Sequence, residues 1–240
     1  MDKMKRLFNM FLDELYADKF VCLCCKDERL HSNHGYLCDK CFEKLHFIEH
    51  ACEKCGDEVG PFDKYCDTCK SKDFTHTFDK SYCVAKYVDT AKTIVYELKY
   101  GKDQALAKVI SGYLVEKAKT LDIPLDMVIP VPLGPKKFRT RGFNQSELLA
   151  YDVAQSLNLP LETKLVLRTT ETMTQTSMSR RERLENVKGA FSVVNKDDVK
   201  GKNILLVDDI VTTGSTADDI SRMLKKKGAN KVYVLAFCHA

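Results

Sequence analysis

No run of apolar residues in this chain is long enough to cross a bilayer, which excludes a helical membrane span. No export signal is expected either. Leu7, Phe8, Met10, Phe11 and Leu12 form a short, broken apolar stretch that Asp13 and Glu14 cut off. Neither sign of charge dominates: 38 Lys and Arg against 34 Asp and Glu leave +4, which permits anionic partners without demanding nucleic acid. Disorder is excluded by a hydrophobic content of 44%. Cysteine is nearly absent from residues 81–240, where only Cys83 and Cys238 occur, in expected strands, as buried core thiols. The other nine cysteines lie between Cys22 and Cys69, and a disulfide scaffold would not concentrate them so. Metal-type thiols without an export signal make the cytoplasm the expected compartment.

Composition divides the chain into three zones. Residues 1–19 have near-helical apolar spacing, and residues 20–80 are Cys-rich and poor in aliphatics. Together they are expected to form one module, with a second domain over residues 81–240. In that domain strands are expected at 81–88, 127–131, 165–167, 191–194, 203–207 and 232–237. Helices are expected at 90–98, 105–119, 145–157 and 216–227, the last closed by Gly228. Strands alternating with helices predict an α/β fold with a parallel, doubly wound sheet.

The most informative segment runs from Ile204 to Thr216. The apolar Ile204-Leu205-Leu206-Val207 leads into Asp208-Asp209, then Ile210-Val211, then Thr212-Thr213-Gly214-Ser215-Thr216 and a helix. Ligands of open α/β sheets bind at the carboxyl ends of strands. A hydroxyl-rich turn at a helix start offers N–H and O–H groups to a phosphate, and Gly214 lets the backbone come close. Two carboxylates beside it make sense if they accept hydrogen bonds from a sugar diol while Mg²⁺ offsets a pyrophosphate. A response-regulator start also carries an acidic pair, but only 31 residues follow Asp209, too few for the units that fold requires.

Two further segments belong with it. Residues 132–145 carry Lys136, Lys137, Arg139 and Arg141 after an expected strand, and read either as a basic loop for a second anion or as a solvated surface. Arg141 has the planar fork that suits phosphate oxygens, and Asn144 is placed to cap the next helix or to touch the ligand. Residues 168–189 form a long polar loop, read as a lid or as an exposed helix.

Cysteine spacing supplies the third signal. Cys22 and Cys25, Cys38 and Cys41, Cys52 and Cys55, and Cys66 and Cys69 form four C-x-x-C pairs. Each pair offers two thiolates, so two zinc sites of four cysteines each are the simplest reading, with sequential pairing preferred over a crossed arrangement. Cys24 competes with Cys22 for a place in the first site, and spacing favours Cys22. Four thiolates leave no open position, so the ions are expected to be structural. His31, His34, His46 and His50 are read as surface residues.

The segment at 204–216 resembles the 5-phosphoribosyl-1-pyrophosphate (PRPP) signature of type I phosphoribosyltransferases. With the paired C-x-x-C motifs, Leu98-Lys99-Tyr100, Ile129-Pro130-Val131-Pro132, Arg141-Gly142-Phe143-Asn144-Gln145, Gln175, Arg183 and Asn186-Val187, nearly the whole chain resembles the ComF family of bacterial competence proteins, related to GntX-type proteins. That resemblance implies that Asp208 and Asp209 bind the ribose hydroxyls and that residues 212–216 bind the 5′-phosphate. Ile210 and Val211 would join the two, and Lys99, Arg141 and Asn144 would complete the PRPP site. It also implies Mg²⁺ with PRPP and a cytoplasmic role in handling incoming single-stranded DNA, alone or with other competence proteins. As an enzyme, the chain would displace pyrophosphate from PRPP, with Asp208, Asp209 and Arg141 as the catalytic set. No general base and no acceptor-binding hood are recognisable in the sequence. The alternative is a non-catalytic PRPP sensor whose basic residues (Lys136, Lys137, Arg139, Arg180, Arg181, Arg183 and 225–227) track a phosphate backbone, with Phe138 and Phe143 as the available stacking rings.

Overall fold

The structure is a computed structural model that describes residues 20–29, 34–71, 75–101, 103–169, 189–195 and 197–240. The helix expected over residues 1–19 and the body of the expected lid, residues 170–188, lie outside the described residues.

Two short strands, β1 (Phe20–Val21) and β2 (Glu28–Arg29), pair antiparallel, and two short helices, α1 (Asp39–Glu43) and α2 (Asp67–Lys70), follow them in the Cys-rich part. Next come β3 (Lys80–Lys86), α3 (Asp89–Tyr96) with a π-helical turn (Glu97–Gly101), α4 (Leu106–Lys119) and β4 (Met127–Pro130). The chain continues through α5 (Pro135–Arg141), α6 (Gln145–Leu157), β5 (Val166–Arg168), β6 (Phe191–Val193), β7 (Asn203–Val211), α7 (Ser215–Lys226) and β8 (Lys231–His239). Four strands make the parallel sheet, in the order β3-β8-β7-β4.

The strands alternate by residue, as a sheet covered on both faces requires. Leu205, Val207, Leu235 and Phe237 join a core with Ile94 of α3, Leu106 and Ile110 of α4 and Leu149 of α6. Ile204, Leu206, Val234 and Ala236 face the other way, onto Ile220 and Leu224 of α7. The Cys-rich part straddles the β3 edge. Its first half, with Cys22, Leu37 and Cys38, packs into the first core. Its second half, with Ile48, Cys52 and Cys55, packs into the second. Between them the chain pairs with β3 itself: Ile48 N donates to Val84 O, Lys86 N to His46 O and Ser81 N to Lys54 O. The outer edge of the sheet is therefore covered.

Four expectations change. Residues 132–145 are not a loop throughout, because α5 occupies their middle. Pro135 provides its first turn, and Gly142, at φ 85, ends it in the left-handed region. The charge of the segment masked these ordinary start and stop signals. β7 does not end at Val207 but runs on to Val211, carrying both acids inside the strand. β5 and β6 form a separate antiparallel pair and do not extend the parallel sheet. Finally, the helix expected to close near Leu98 continues as the π turn through Gly101.

Two glycines test the docking of the Cys-rich part. Gly56 sits at φ +78, and a Cβ there would lie 2.8 Å from Ser81 O on β3. Gly112, inside α4, has open space. Gly56→Ala is expected to destabilise the zinc-loaded protein by about 1–3 kcal/mol. Gly112→Ala should stabilise it by about 0.5–1 kcal/mol, the ordinary helical gain of Ala over Gly. Thermal melts of the two variants should move in opposite directions.

Candidate functional site

A cleft opens where β7 outlasts its neighbour. β4 stops pairing at Pro130, opposite Val207, and Val131 N makes the last bond, to Val207 O, at 2.9 Å. Beyond that point β7 keeps β8 on one side only, and residues 208–211 border the open side. Asp208, Asp209, Ile210, Val211, Thr212, Gly214, Ser215 and Thr216 line the cleft from this strand and the turn after it. Lys99 and Tyr100 of the π turn, Lys137 and Arg141 of α5, Gln145 of α6 and Arg168 of β5 also line it, with the apolar Val131, Pro132 and Leu133 after β4.

The turn that feeds α7 is shaped by Gly214 at φ 73, a left-handed N-cap with no side-chain cap on the helix. The hydroxyl of Thr213 donates to Ser215 Oγ at 3.1 Å and accepts from Ser215 N at 3.4 Å, which tightens the turn. A helix start aimed at a cleft in this way is an anion-binding arrangement. Thr213 itself does not line this cleft; it lines a second cavity on the far side of the turn, together with Cys55 and Cys66.

The two acids differ in their surroundings. Asp209 is 1% exposed, and both of its oxygens have protein partners. Oδ2 pairs with the Lys99 ammonium, and Oδ1 accepts from Gln145 Nε2 at 3.1 Å. Asp208 is half-buried; its Oδ1 accepts from Ser146 Oγ at 2.8 Å and from Asp209 N at 2.9 Å. Burial, and then the neighbouring Asp209 carboxylate, push the Asp208 pKa up to about 7. Lys99 behaves the other way. Burial opposes its charge, but Asp209 and then Asp208 more than offset this, so its pKa lies above the usual lysine value.

The cations are tied to the acids through a closed circuit. Arg141 donates to Gln145 Oε1, and its guanidinium lies 5.7 Å from the Tyr100 ring centroid. Tyr100 follows Lys99, which returns to Asp209. Burial lowers the Arg141 pKa, and Asp209, Tyr100 and Asp208 act against that. Asn144 takes the capping role of the two expected for it: its Oδ1 accepts from Ser146 N, and its Nδ2 donates to Val131 O. It does not line the cleft. Tyr100, Lys137, Gln145 and Arg168 are cleft residues beyond the expected PRPP set. For Gln145 the only sequence signal is its place directly after Arg141-Gly142-Phe143-Asn144. Phe143, one of the two rings expected to offer stacking, is buried, whereas Phe138 is 47% exposed.

The thiols gather into two sets. Cys22, Cys25, Cys38 and Cys41 form one, and Cys52, Cys55, Cys66 and Cys69 the other, with all ligand atoms of a set within 4.8 Å of one another. This is the sequential pairing, with Cys22 rather than Cys24 in the first set. Backbone N–H groups outweigh burial at Cys22 and Cys52 and lower each pKa to about 7, whereas burial pushes Cys69 up to about 12. Four such thiols cannot ionise side by side without a cation, and the donor set fits a tetrahedral Zn²⁺. When bound, zinc would supply folding energy and no chemistry, because no ligand position stays open. Cys83 and Cys238 are buried in β3 and β8, and burial raises both pKa values.

Two measurements test this description. Metal analysis of the purified protein should give about two zinc per chain. Asp208 titrates higher in the folded protein than in the unfolded chain. Its contribution to stability is therefore full at acid pH and lost as the pH rises through about 7. Asp208→Asn removes that loss, so the variant should melt above the wild type at pH 8, and the gap should shrink at pH 5.

Known proteins share both parts of this chain. The family profile for the phosphoribosyl transferase domain matches residues 144–240, and that for the double zinc ribbon domain matches residues 11–70. Competence protein F of Haemophilus influenzae is 29% identical over 227 residues, covering 92% of this chain and 97% of that protein. The DNA utilization protein YhgH of Escherichia coli K12 is 30% identical over 211 residues, covering 85% of this chain and 91% of that protein. Among solved structures, the glutamine PRPP amidotransferase of B. subtilis complexed with ADP and GMP is 22% identical with a TM-score of 0.38. That match covers 55% of this chain and 26% of the amidotransferase chain, so the chain spans about a quarter of that enzyme. A double zinc ribbon thus precedes a phosphoribosyltransferase-type domain, and the chain belongs to the family of competence protein F and YhgH.

Proposed function

We propose that the protein binds PRPP in the cleft beside β7 and acts in the handling of incoming DNA during natural competence. The observation that carries this reading is the shared cleft of an acid pair, a helix-start phosphate turn and four cations, Lys99, Lys137, Arg141 and Arg168. The 5′-phosphate sits on residues 212–216. Asp208 accepts from the ribose hydroxyls, while Asp209 holds Lys99 and Gln145 in place. The pyrophosphate, with Mg²⁺, lies toward Arg141 and Lys137, where the positive charge is concentrated. Residues 1–80 act as the zinc-stapled module and residues 81–240 as the ligand-binding domain. No helix among the described residues is long and apolar enough to cross a membrane. The protein's work is on single-stranded DNA or with a competence partner, in the cytoplasm.

A sensing role without turnover has one observation in its favour. Among the described residues that line the cleft, the titratable groups are the two acids, the four cations and Tyr100, with no histidine. Under this reading PRPP occupancy governs binding to DNA or a partner. Lys136, Phe138 and Arg139, exposed on α5, offer the adjoining surface.

Calorimetry with PRPP and Mg²⁺ tests the ligand. Asp208→Asn should weaken binding by about 10- to 100-fold, the worth of a hydrogen bond to a charged group. Unchanged affinity in that variant would remove the ribose role. Incubation with PRPP, Mg²⁺ and a panel of nucleophilic acceptors separates the two readings. Acceptor-dependent pyrophosphate release supports a transferase, and tight binding without release supports the sensor.

A further inference from the structure

We infer that the second four-cysteine set and the His76–Asp218 pair form the rear wall of the phosphate turn, so that metal in this set, and not in the first, governs the turn's hold on a 5′-phosphate. The inference rests on the PRPP reading for its ligand. The link itself stands on separate contacts.

Those contacts run without a gap from knuckle to turn. Cys52 and Cys55 are buried in the core that includes Phe78 and Ala217, next to the turn. Between the two cysteines, Lys54 O accepts from Ser81 N, and the Lys54 ammonium donates to Phe78 O and, at 3.2 Å, to Asp79 O. The knuckle therefore grips residues 78–81. Just upstream, His76 stacks on Phe78 with ring centroids 4.4 Å apart, and its Nδ1 lies 2.7 Å from Asp218 Oδ2. Thr77 N donates to Asp218 Oδ1 at 2.6 Å. Asp218 stands in the first turn of α7, and its own N–H donates to Gly214 O at 2.8 Å. The grip thus ends on the residue that shapes the phosphate turn.

Steric fit closes the same path. A Cβ on Gly214 would lie 2.8 Å from His76 Cε1 and 3.2 Å from Phe78 Cε1, so the imidazole lies directly against the back of the turn. His76 is 4% exposed and the His76–Asp218 pair is buried, where such pairs are costly to break. A small cavity lies between the systems, walled by Cys55, Cys66 and Thr68 on one side and by Thr212 and Thr213 on the other. The first four-cysteine set packs into the opposite core, with Leu106 and Phe237.

Loss of metal from the second set leaves four crowded thiols with nothing to hold them together. The knuckle loosens, residues 76–78 lose their anchor, and the turn loses the wall that keeps its N–H groups convergent. A phosphate cradle tolerates little displacement, because its strength lies in several donors aimed at one point. The pyrophosphate end of the cleft is built on α5 and does not share this support.

The test uses the full-length, zinc-loaded protein and compares Cys66→Ser, Cys25→Ser and Asp218→Asn. Amide hydrogen exchange over residues 212–216 reads the turn without any ligand. Calorimetry with ribose 5-phosphate and, separately, with Mg²⁺ and pyrophosphate reads the two ends of the cleft. Cys66→Ser should speed exchange at 212–216 and weaken ribose 5-phosphate by about tenfold or more, the worth of one charge-assisted hydrogen bond. Pyrophosphate binding should stay near the wild-type value. Cys25→Ser should lose metal from the first set and leave both readouts in place. Asp218→Asn should keep its full zinc and still speed exchange at 212–216, which covers the case in which Cys66→Ser does not fold. Equal exchange in Cys66→Ser and Cys25→Ser, or unchanged exchange in Asp218→Asn, overturns the inference. A wild type that binds neither PRPP nor ribose 5-phosphate, while exchange still follows the second set, defeats the ligand reading and leaves the link standing.

Discussion

The carboxylate of Asp209 has almost no access to water, and a charge in that position must be met by the protein. Lys99 and Gln145 meet it. From that requirement much of the cleft follows. Lys99 reaches the acid from the π turn after α3, a departure from regular helix of the kind that often marks a working site. Gln145, held by Asp209 through its amide nitrogen, offers its oxygen to Arg141. Arg141 in turn lies over Tyr100. One buried charge thus fixes the positions of two cations, an aromatic ring and an amide drawn from three separate elements. It also divides the labour of the acid pair. Asp209 organises the protein, and Asp208 keeps an open side toward the cleft.

The same economy governs the Cys-rich part. It has few aliphatics of its own, and it lends them to two cores, one on each face of the sheet. Its two metal sets therefore have different neighbours. The first stiffens the side where α3, α4 and α6 pack. The second stands behind the turn that opens α7. A module that the sequence sets apart by composition is packed into both cores of the second domain.

Much of this is legible in the sequence, and the physical reasons are plain. Ile204-Leu205-Leu206-Val207 has the unbroken apolar character of a central parallel strand, and Thr212-Thr213-Gly214-Ser215-Thr216 has the composition of a phosphate turn. Both depend on local chemistry, which sequence records directly. The spacing of the eight ligand cysteines narrowed their grouping, because a C-x-x-C pair can serve only one ion. Long-range relations were hidden. Nothing near His76 announced Asp218, which stands 142 residues away. The extension of β7 to Val211 could not be read from Asp208-Asp209, because it depends on β8 pairing alongside it as far as His239. The helix α5 was obscured by its own charge, since Lys136, Lys137, Arg139 and Arg141 read as a basic loop, for a second anion or for solvent.

The covering of β3 carries one further consequence. A bare outer strand is a row of unmet N–H and C=O groups, ready to pair with another molecule. Here residues 46–54 of the Cys-rich part satisfy that row, while Leu161 bridges to Val128 at the opposite margin. Stripping the metal would release the flap that shields β3 and offer the strand to its twin on a neighbouring chain. The ions then act as guardians of solubility, and a chelated preparation would fail first by clumping, before its interior has melted.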